Sequence, residues 1–205
     1  MINTLIFDFG DVFINLDKLA IERSLSKLGV TSVSKKMMRT AMDYEKGWIS
    51  TNDFIDAFTK RHPKISGQDF STAWNSIILD FPEHRLTFIE SLKDLKKYKL
   101  ILLSNTNALH IEQVIKNMSL DRYLRFKNCF DQFYLSHEIK LRKPDKSTYE
   151  FVLRENKLIA KHCFFVDDTK ENTDAASKLG IKTWNNDPKN EDIISLFDTP
   201  NFTKS

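Results

Sequence analysis

The chain has 205 residues, a length that suits one domain with a sizeable insertion and that can bury a substantial core. Hydrophobic residues make up 41% of the chain and charged residues 29%, with five glycines and five prolines, which excludes collagen-like, low-complexity and wholly disordered proteins. The net charge of +3 is too small and too evenly spread for the basic surface of a nucleic-acid-binding protein.

The cysteines and the lack of long apolar runs indicate where the protein acts. Cys129 and Cys163 are too few for a disulfide framework and have no metal-binding spacing, so we expect both to be buried. The sequence has no signal-peptide pattern and no run approaching the roughly 18 apolar residues that cross a bilayer. It predicts a cytoplasmic protein without a membrane or nucleic-acid partner, and the lack of a coiled-coil seam favours a monomer.

Four short apolar runs that end in polar residues predict the strands of a sheet. They are residues 2–7, 100–106, 133–136 and 163–168. Segments with a helical period lie between the later runs, at about 111–118 and 149–153, and after the last one, at about 175–179. Alternating strands and helices predict an α/β fold, with a parallel sheet covered on both faces. We therefore expect the polar strand ends to meet at one edge of the sheet.

The interval after the first predicted strand contains helical patterns without an intervening strand. Ser50 and Asp53 have the spacing of a capping box, and an apolar stripe of helical spacing runs over residues 70–78. Pro82 is expected to start the helix that returns to the sheet. The predicted organisation is a core of residues 1–15 and 82–205, a helical cap of residues 16–81 and a frayed tail at 199–205.

Four ordered motifs at the predicted strand ends carry chemically active residues. They are Phe7-Asp8-Phe9-Gly10-Asp11-Val12, Leu103-Ser104-Asn105-Thr106, Lys143-Pro144-Asp145, and Val166-Asp167-Asp168 with Asn172. The successive spacings from Asp8 to Ser104, Lys143 and Asp167 are 96, 39 and 24 residues. In this order and spacing the motifs resemble those of the haloacid dehalogenase (HAD) superfamily of hydrolases.

Two further segments resemble the bacterial subgroup that contains alpha-D-glucose-1-phosphate phosphatase. They are Tyr44-Glu45-Lys46-Gly47-x-Ile49-Ser50 and the stretch from Leu135 to Asp145. The resemblance implies a Rossmann-like core with a small all-helical cap inserted after the first strand. It also implies Mg²⁺-dependent hydrolysis of phosphate monoesters, with a small phosphorylated metabolite, most of all a sugar phosphate, as the substrate.

The resemblance also implies a role for each motif residue. Asp8 would be the nucleophile that becomes an aspartyl-phosphate and would also bind the metal. The Gly10 carbonyl and Asp168 would complete the protein ligands of Mg²⁺, with Asp167 either binding the metal directly or holding a metal-bound water. For the phosphate group, Ser104 Oγ and the Asn105 N–H would bind its oxygens, and Lys143 would neutralise the charge of the nucleophile and of the transferring group.

One residue departs from the pattern of most phosphatases in the superfamily. Gly10 stands where they have a second Asp, the general acid and base, whose contribution is typically ~10²–10⁴-fold. Asp11 is one place further on, and its side chain is expected to point elsewhere. The substrate is therefore expected to have a good leaving group, such as an anomeric sugar hydroxyl, or to supply its own proton donor.

Several alternatives stay open at the level of sequence. A metal-independent 2-haloacid dehalogenase would also lack the second Asp, and a non-catalytic binding or regulatory protein could retain the fold. Taken singly, Ser104 could cap a helix, Lys143 could lie on the surface, and Asp167-Asp168 could cap the helix near Lys170. Trp48 could stack on a sugar, but packing between cap and core is the stronger expectation.

Overall fold

A five-stranded parallel sheet is the centre of the fold in residues 1–203, the part of the chain that the computed structural model describes. The strands are β1 (Thr4–Phe7), β2 (Lys99–Ser104), β3 (Gln132–Leu135), β4 (Cys163–Asp167) and β5 (Lys182–Asn185). Their spatial order is β3-β2-β1-β4-β5, and Phe7 at the end of β1 lies opposite Leu102 and Val166. The predicted α/β class is confirmed.

The edge strand β5 was not among the predicted strands. Of its four residues only Trp184 is buried, whereas all of β1 and β4 are buried. A central strand covered on both faces produces a continuous apolar run, but this edge strand does not. The local pattern therefore could not distinguish β5 from a loop.

Four helices form the insertion after β1. They are α1 (Ala20–Lys27), α2 (Lys35–Glu45), α3 (Thr51–Thr59) and α4 (Gly67–Asn75). Their buried residues form one cluster, which Leu109 from outside the insertion also joins, and in it the rings of Phe58 and Phe70 stack at 3.9 Å between centroids. The capping box is present, since Ser50 Oγ accepts from Asp53 N at 3.1 Å and Asp53 Oδ2 accepts from Ser50 N at 3.3 Å.

Two extended segments connect the insertion to the sheet, and they run side by side. Asn15 N donates to Asp80 O at 2.9 Å, and Leu79 N donates to Asn15 O at 3.1 Å. Leu16 forms an antiparallel bridge with Ile78. The prediction that the apolar stripe of residues 70–78 is helical throughout is wrong at its end. Helix α4 ends at Asn75, and Ile78 pairs with Leu16 in the linker instead. The cap boundaries at residues 16 and 81 stay a prediction.

The remaining helices cover the two faces of the sheet. They are α5 (Glu83–Asp94), α6 (Ala108–Met118), α7 (Leu120–Asn128), α8 (Ser136–Ile139), α9 (Lys146–Glu155), α10 (Lys170–Ser177) and α11 (Pro200–Thr203), with 3-10 turns at Ala160–His162 and Ile193–Asp198. Pro82 is the N-cap residue of α5, one position before the helix begins. Within residues 1–203, no helix combines the length and the apolar character needed to cross a membrane.

Alternate residues of the strands pack into cores on opposite faces of the sheet. Phe7 and Phe164 belong to one core, and Ile6 and Phe165 to the other, where Cys163 is also buried. The predicted frayed tail is wrong up to residue 203, because Phe202 packs on Phe164 with 5.1 Å between ring centroids. Residues 204–205 lie outside the described part of the chain.

Candidate active site

The carboxyl ends of the central strands bring the predicted carboxylates together. Asp8 directly follows β1, and Asp167 and Asp168 stand at the end of β4. Each of the three offers an oxygen, and these oxygens lie within 4.8 Å of one another. Because neighbouring parallel strands end at the same edge of a sheet, residues some 160 positions apart in sequence become neighbours.

Lys143 lies between two of these carboxylates. Its side chain is fully buried, with Nζ 2.6 Å from Asp167 Oδ2 and 2.9 Å from Asp8 Oδ1. The same ammonium lies 5.3 Å from the ring centroid of Phe165. A buried lysine needs paired anions to remain charged, and these two carboxylates supply them. The surface alternative for Lys143 is excluded.

Asp167 is held by hydrogen bonds on both of its oxygens. Oδ1 accepts from Thr169 N at 2.8 Å, and Asn172 Nδ2 lies 3.0 Å from each oxygen. Together with the Lys143 contact, these bonds satisfy a carboxylate that is completely buried. Asp167 is therefore a fixed anchor for the ammonium of Lys143.

The charges of the site shift the pKa values of its two central groups. Burial raises the pKa of Asp8 to about 7, with Lys143 opposing the rise and Asp167 and Asp168 adding to it. Burial by itself would lower the pKa of Lys143, but the attraction of Asp167 and Asp8 outweighs burial and raises it. Lys143 thus stays protonated, and Asp8 lacks sufficient positive charge around it to remain fully ionised near neutral pH.

Asp168 contacts a lysine that the sequence motifs did not indicate. Lys18 Nζ lies 2.5 Å from Asp168 Oδ2 and 3.0 Å from Asp11 Oδ2. Asp11 Oδ1 also accepts from Leu16 N at 2.9 Å. The Asp11 side chain is therefore held by the segment that leads into the insertion, and the expectation that it points away from Asp8 stays a prediction.

Asn105 connects the end of β2 to the backbone of Lys143. Its Oδ1 accepts from Lys143 N, and its Nδ2 donates to Lys143 O, both at 2.9 Å. Ser104 is buried at the end of the same strand. The roles of Ser104 Oγ and the Asn105 N–H in binding phosphate, and of the Gly10 carbonyl in binding a metal, stay predictions.

The turn after α2 contacts the core, but not in the predicted way. Trp48 is 60% exposed, with Lys46 Nζ 4.8 Å from its ring centroid, so the expectation that it packs between cap and core is wrong. Gly47 makes the close approach instead. Its φ of 62° is left-handed, and a Cβ there would lie 1.9 Å from His137 O. Motif analysis also missed the ion pair of Glu45 with Arg142 at 2.6 Å, although both residues lie within segments that carried the resemblance.

The donors at this site fit a divalent metal of the Mg²⁺ type. Mg²⁺ prefers oxygen ligands and is usually bound by one or two carboxylates together with waters and substrate phosphate oxygens. Asp8 and Asp168 supply carboxylate oxygens in the cluster of three, and a divalent cation would offset both the burial that chiefly raises the pKa of Asp8 and the smaller effect of the neighbouring carboxylates.

The chain is similar to a phosphatase and to a HAD family enzyme that was solved with magnesium. A D-ribitol-5-phosphate phosphatase of Bacteroides thetaiotaomicron is 24% identical over 90% of this chain and 91% of its own length. A HAD family enzyme of the same organism, solved as a magnesium complex, is 33% identical, with a TM-score of 0.86 over 97% of this chain and 99% of that one. Its structure with magnesium and inorganic phosphate is 32% identical, with a TM-score of 0.85 over 96% of this chain and 100% of that one.

The family model extends over most of the chain. The model of the haloacid dehalogenase-like hydrolases matches residues 5–185, a span that begins in β1 and ends with β5. It therefore contains every strand of the sheet and all three carboxylates at their carboxyl ends. The chain is a hydrolase that belongs to the haloacid dehalogenase-like hydrolase family.

Proposed function

We propose that this protein is a Mg²⁺-dependent phosphatase that hydrolyses small phosphate monoesters through an aspartyl-phosphate on Asp8. The observation that carries the proposal is the buried Lys143 ammonium, bonded to Asp8 and Asp167 beside a third carboxylate. A metal-free dehalogenase site has no need of such a dense carboxylate cluster. The HAD family enzyme of Bacteroides thetaiotaomicron, crystallised with magnesium and also with magnesium and inorganic phosphate, supports the same assignment.

The proposed metal ligands are Asp8, the Gly10 carbonyl and Asp168. When bound, Mg²⁺ supplies positive charge to the phosphate oxygens and to the attacking carboxylate. Asp167 is proposed to act through Lys143, because its oxygens are already occupied by Lys143, Asn172 and the Thr169 amide.

In the first chemical step, a carboxylate oxygen of Asp8 attacks the phosphorus of the ester. A bond forms between that oxygen and phosphorus, and the bond from phosphorus to the alcohol oxygen breaks. Lys143 stabilises the negative charge on the phosphoryl oxygens, while Ser104 Oγ and the Asn105 N–H donate hydrogen bonds to them. The low-dielectric pocket around the fully buried Lys143 strengthens this stabilisation.

The leaving oxygen receives no proton from position 10, which is glycine. Asp11 is bonded to Leu16 N and Lys18, so it is not free to replace the missing acid. The substrate must therefore carry a good leaving group, or the departing alcohol oxygen must be protonated by water or by another group of the substrate. In the second step, water attacks phosphorus and the bond from phosphorus to the Asp8 oxygen breaks. The products are inorganic phosphate, which keeps the protons of the water, and the free Asp8 carboxylate.

The proposed substrates are sugar phosphates and sugar-alcohol phosphates. The absence of an acid at Gly10 favours sugar 1-phosphates, whose anomeric hydroxyl is the better leaving group. The ribitol 5-phosphate phosphatase relative favours a phosphate on a primary alcohol. Comparing glucose 1-phosphate with ribitol 5-phosphate under one set of conditions therefore tests the leaving-group hypothesis, which fails if ribitol 5-phosphate is turned over faster.

The proposed function is tested by measuring phosphate release from both esters and from p-nitrophenyl phosphate. We expect release that requires Mg²⁺, stops with chelator and falls at least ~10³-fold in Asp8→Asn. Glu90→Gln, which removes an ion pair with Arg125 on the protein surface, is the matched control. Halide release from 2-haloacids without metal would instead support the dehalogenase, and no turnover of either class would support a non-catalytic role.

We also propose that the protein is a monomer, which analytical ultracentrifugation would check.

A further inference from the structure

The turn between α2 and α3 lies on the core segment that carries Lys143. We call residues 45–48 the docking turn. The backbone carbonyl of Glu45 accepts from Ser136 Oγ at 2.6 Å, and Lys46 Nζ lies 3.0 Å from Asp145 Oδ2. Gly47 packs against the backbone of His137. The insertion is thus fastened to α8 and to Asp145, in the segment that follows β3.

The docking turn is also connected to the backbone of Lys143, through Arg142. Glu45 Oε2 accepts from Arg142 Nε at 2.6 Å, and Arg142 Nη1 donates to Lys143 O at 2.9 Å. The same carbonyl also accepts from Asn105 Nδ2. The peptide of Lys143 is therefore held from one side by the end of β2 and from the other by a guanidinium whose orientation depends on the insertion.

The geometry of this contact suits orientation better than stability. The side chains of Glu45 and Arg142 are only 22% and 27% exposed, and a largely buried ion pair adds little net free energy of folding because the cost of desolvation offsets the attraction. A guanidinium is planar and presents its donors in a fixed fork. Once the Glu45 carboxylate binds one arm, the other arm is directed at the Lys143 carbonyl.

We propose that Glu45 and Arg142 are positioning residues that make the placement of Lys143 depend on docking of the insertion. The inference rests on the proposed phosphatase function. Lys143 Nζ must keep contacts of 2.6 Å and 2.9 Å with two carboxylates, so a small shift of its backbone weakens the charge stabilisation at the phosphoryl group. Docking of the insertion over the strand ends therefore also places Lys143 correctly, which completes the site.

The kinetic test compares Glu45→Gln, Arg142→Met and the double variant on whichever ester the wild type turns over fastest. We expect each single variant to lower kcat roughly 10-fold with less than a threefold change in KM, and the double variant to be no worse than either single variant. Glu90→Gln makes the same side-chain change at a surface ion pair with Arg125, away from the docking turn, and is the matched control, with kcat within twofold of wild type. Additive losses, or an equal loss in Glu90→Gln, would overturn the proposal.

A second measurement does not depend on turnover. The amide of Lys143 donates to Asn105 Oδ1, so its hydrogen exchange reports how firmly this peptide is held. We expect exchange at Lys143 to quicken several-fold in Glu45→Gln but not in Glu90→Gln, with the melting temperature of each variant recorded to confirm folding. Unchanged exchange in Glu45→Gln overturns the positioning role. If exchange quickens but the wild type releases no phosphate from any ester, the positioning stands and the proposed phosphatase function fails.

Discussion

Replacing Asp8 by asparagine should make the metal-free protein more stable while abolishing turnover. The pKa of Asp8 is raised from 3.8 to about 7, chiefly by burial and also by the charges of Asp167 and Asp168. When folding raises the pKa of a carboxyl, burying its protonated form costs less free energy than burying its ionised form. Its ionisation costs the folded state increasing free energy as pH rises from about 4 to about 7, and the cost is complete above pH 7.

The size of this effect follows from the shift. A rise of about three pH units corresponds to about 4 kcal/mol. Asparagine keeps the shape and avoids the charge, but it gives Lys143 a weaker acceptor, which costs about 1–2 kcal/mol. The net gain is about 2–3 kcal/mol at pH 8. For a chain of this length, that is a rise in Tm of about 4–12 °C.

Scanning calorimetry with chelator, at several pH values from 5 to 8, checks this prediction. The Tm advantage of Asp8→Asn should grow with pH up to about 7 and then level off. Saturating Mg²⁺ should stabilise the wild type, by about 2.7 kcal/mol at 100 times Kd, and should stabilise the variant much less. A variant that is less stable than wild type at pH 8 in chelator would refute the reasoning that this site holds an excess of negative charge.

Three further changes test other parts of the site. Lys18→Met removes the cation 2.5 Å from Asp168, so Mg²⁺ should bind roughly 5- to 10-fold more tightly by calorimetric titration, and weaker binding would contradict this. Asp167→Asn should lower kcat more than ~10²-fold while Mg²⁺ affinity changes by less than threefold; a parallel loss of affinity would make Asp167 a metal ligand. Gly47→Ala places a Cβ 1.9 Å from a backbone oxygen in a left-handed turn and should lower the free energy of unfolding by about 1–3 kcal/mol in urea titrations. Gly29→Ala also has a left-handed φ, of 87°, but open space around it, and should cost less; an equal loss would show that strain in φ, not the contact with His137, determines the effect.

The residues of the central site could be predicted from sequence because their signals are local. Each central strand is an apolar run that ends in the polar residue it presents, as in the run before Asp8 and the run before Asp167. Parallel pairing then brings the strand ends to one edge without further information. The family resemblance added roles to these residues, and it alone indicated Lys143, which follows α8 rather than a strand.

Other features have no local signal. Strand β5 has one buried residue in four, and Ile78 continues a helical stripe in sequence although it pairs with Leu16 in the linker. Trp48 is an aromatic residue beside a contact, yet Gly47 makes that contact, because only a residue without a Cβ can approach His137 so closely. These outcomes depend on which surfaces meet, which a pattern along the chain does not specify.

By itself, the sequence determined the α/β class, the strand ends that carry Asp8, Ser104 and Asp167, and the insertion after the first strand. Only the tertiary structure decided which charges lie together around them. Lys18 and Asp168 are 150 positions apart and Glu45 and Arg142 are 97 apart. Both pairs join the insertion or its linker to the core. They form because the helical insertion is seated on the strand ends, and ion pairs across such an interface are set by its geometry rather than by any periodicity of the chain.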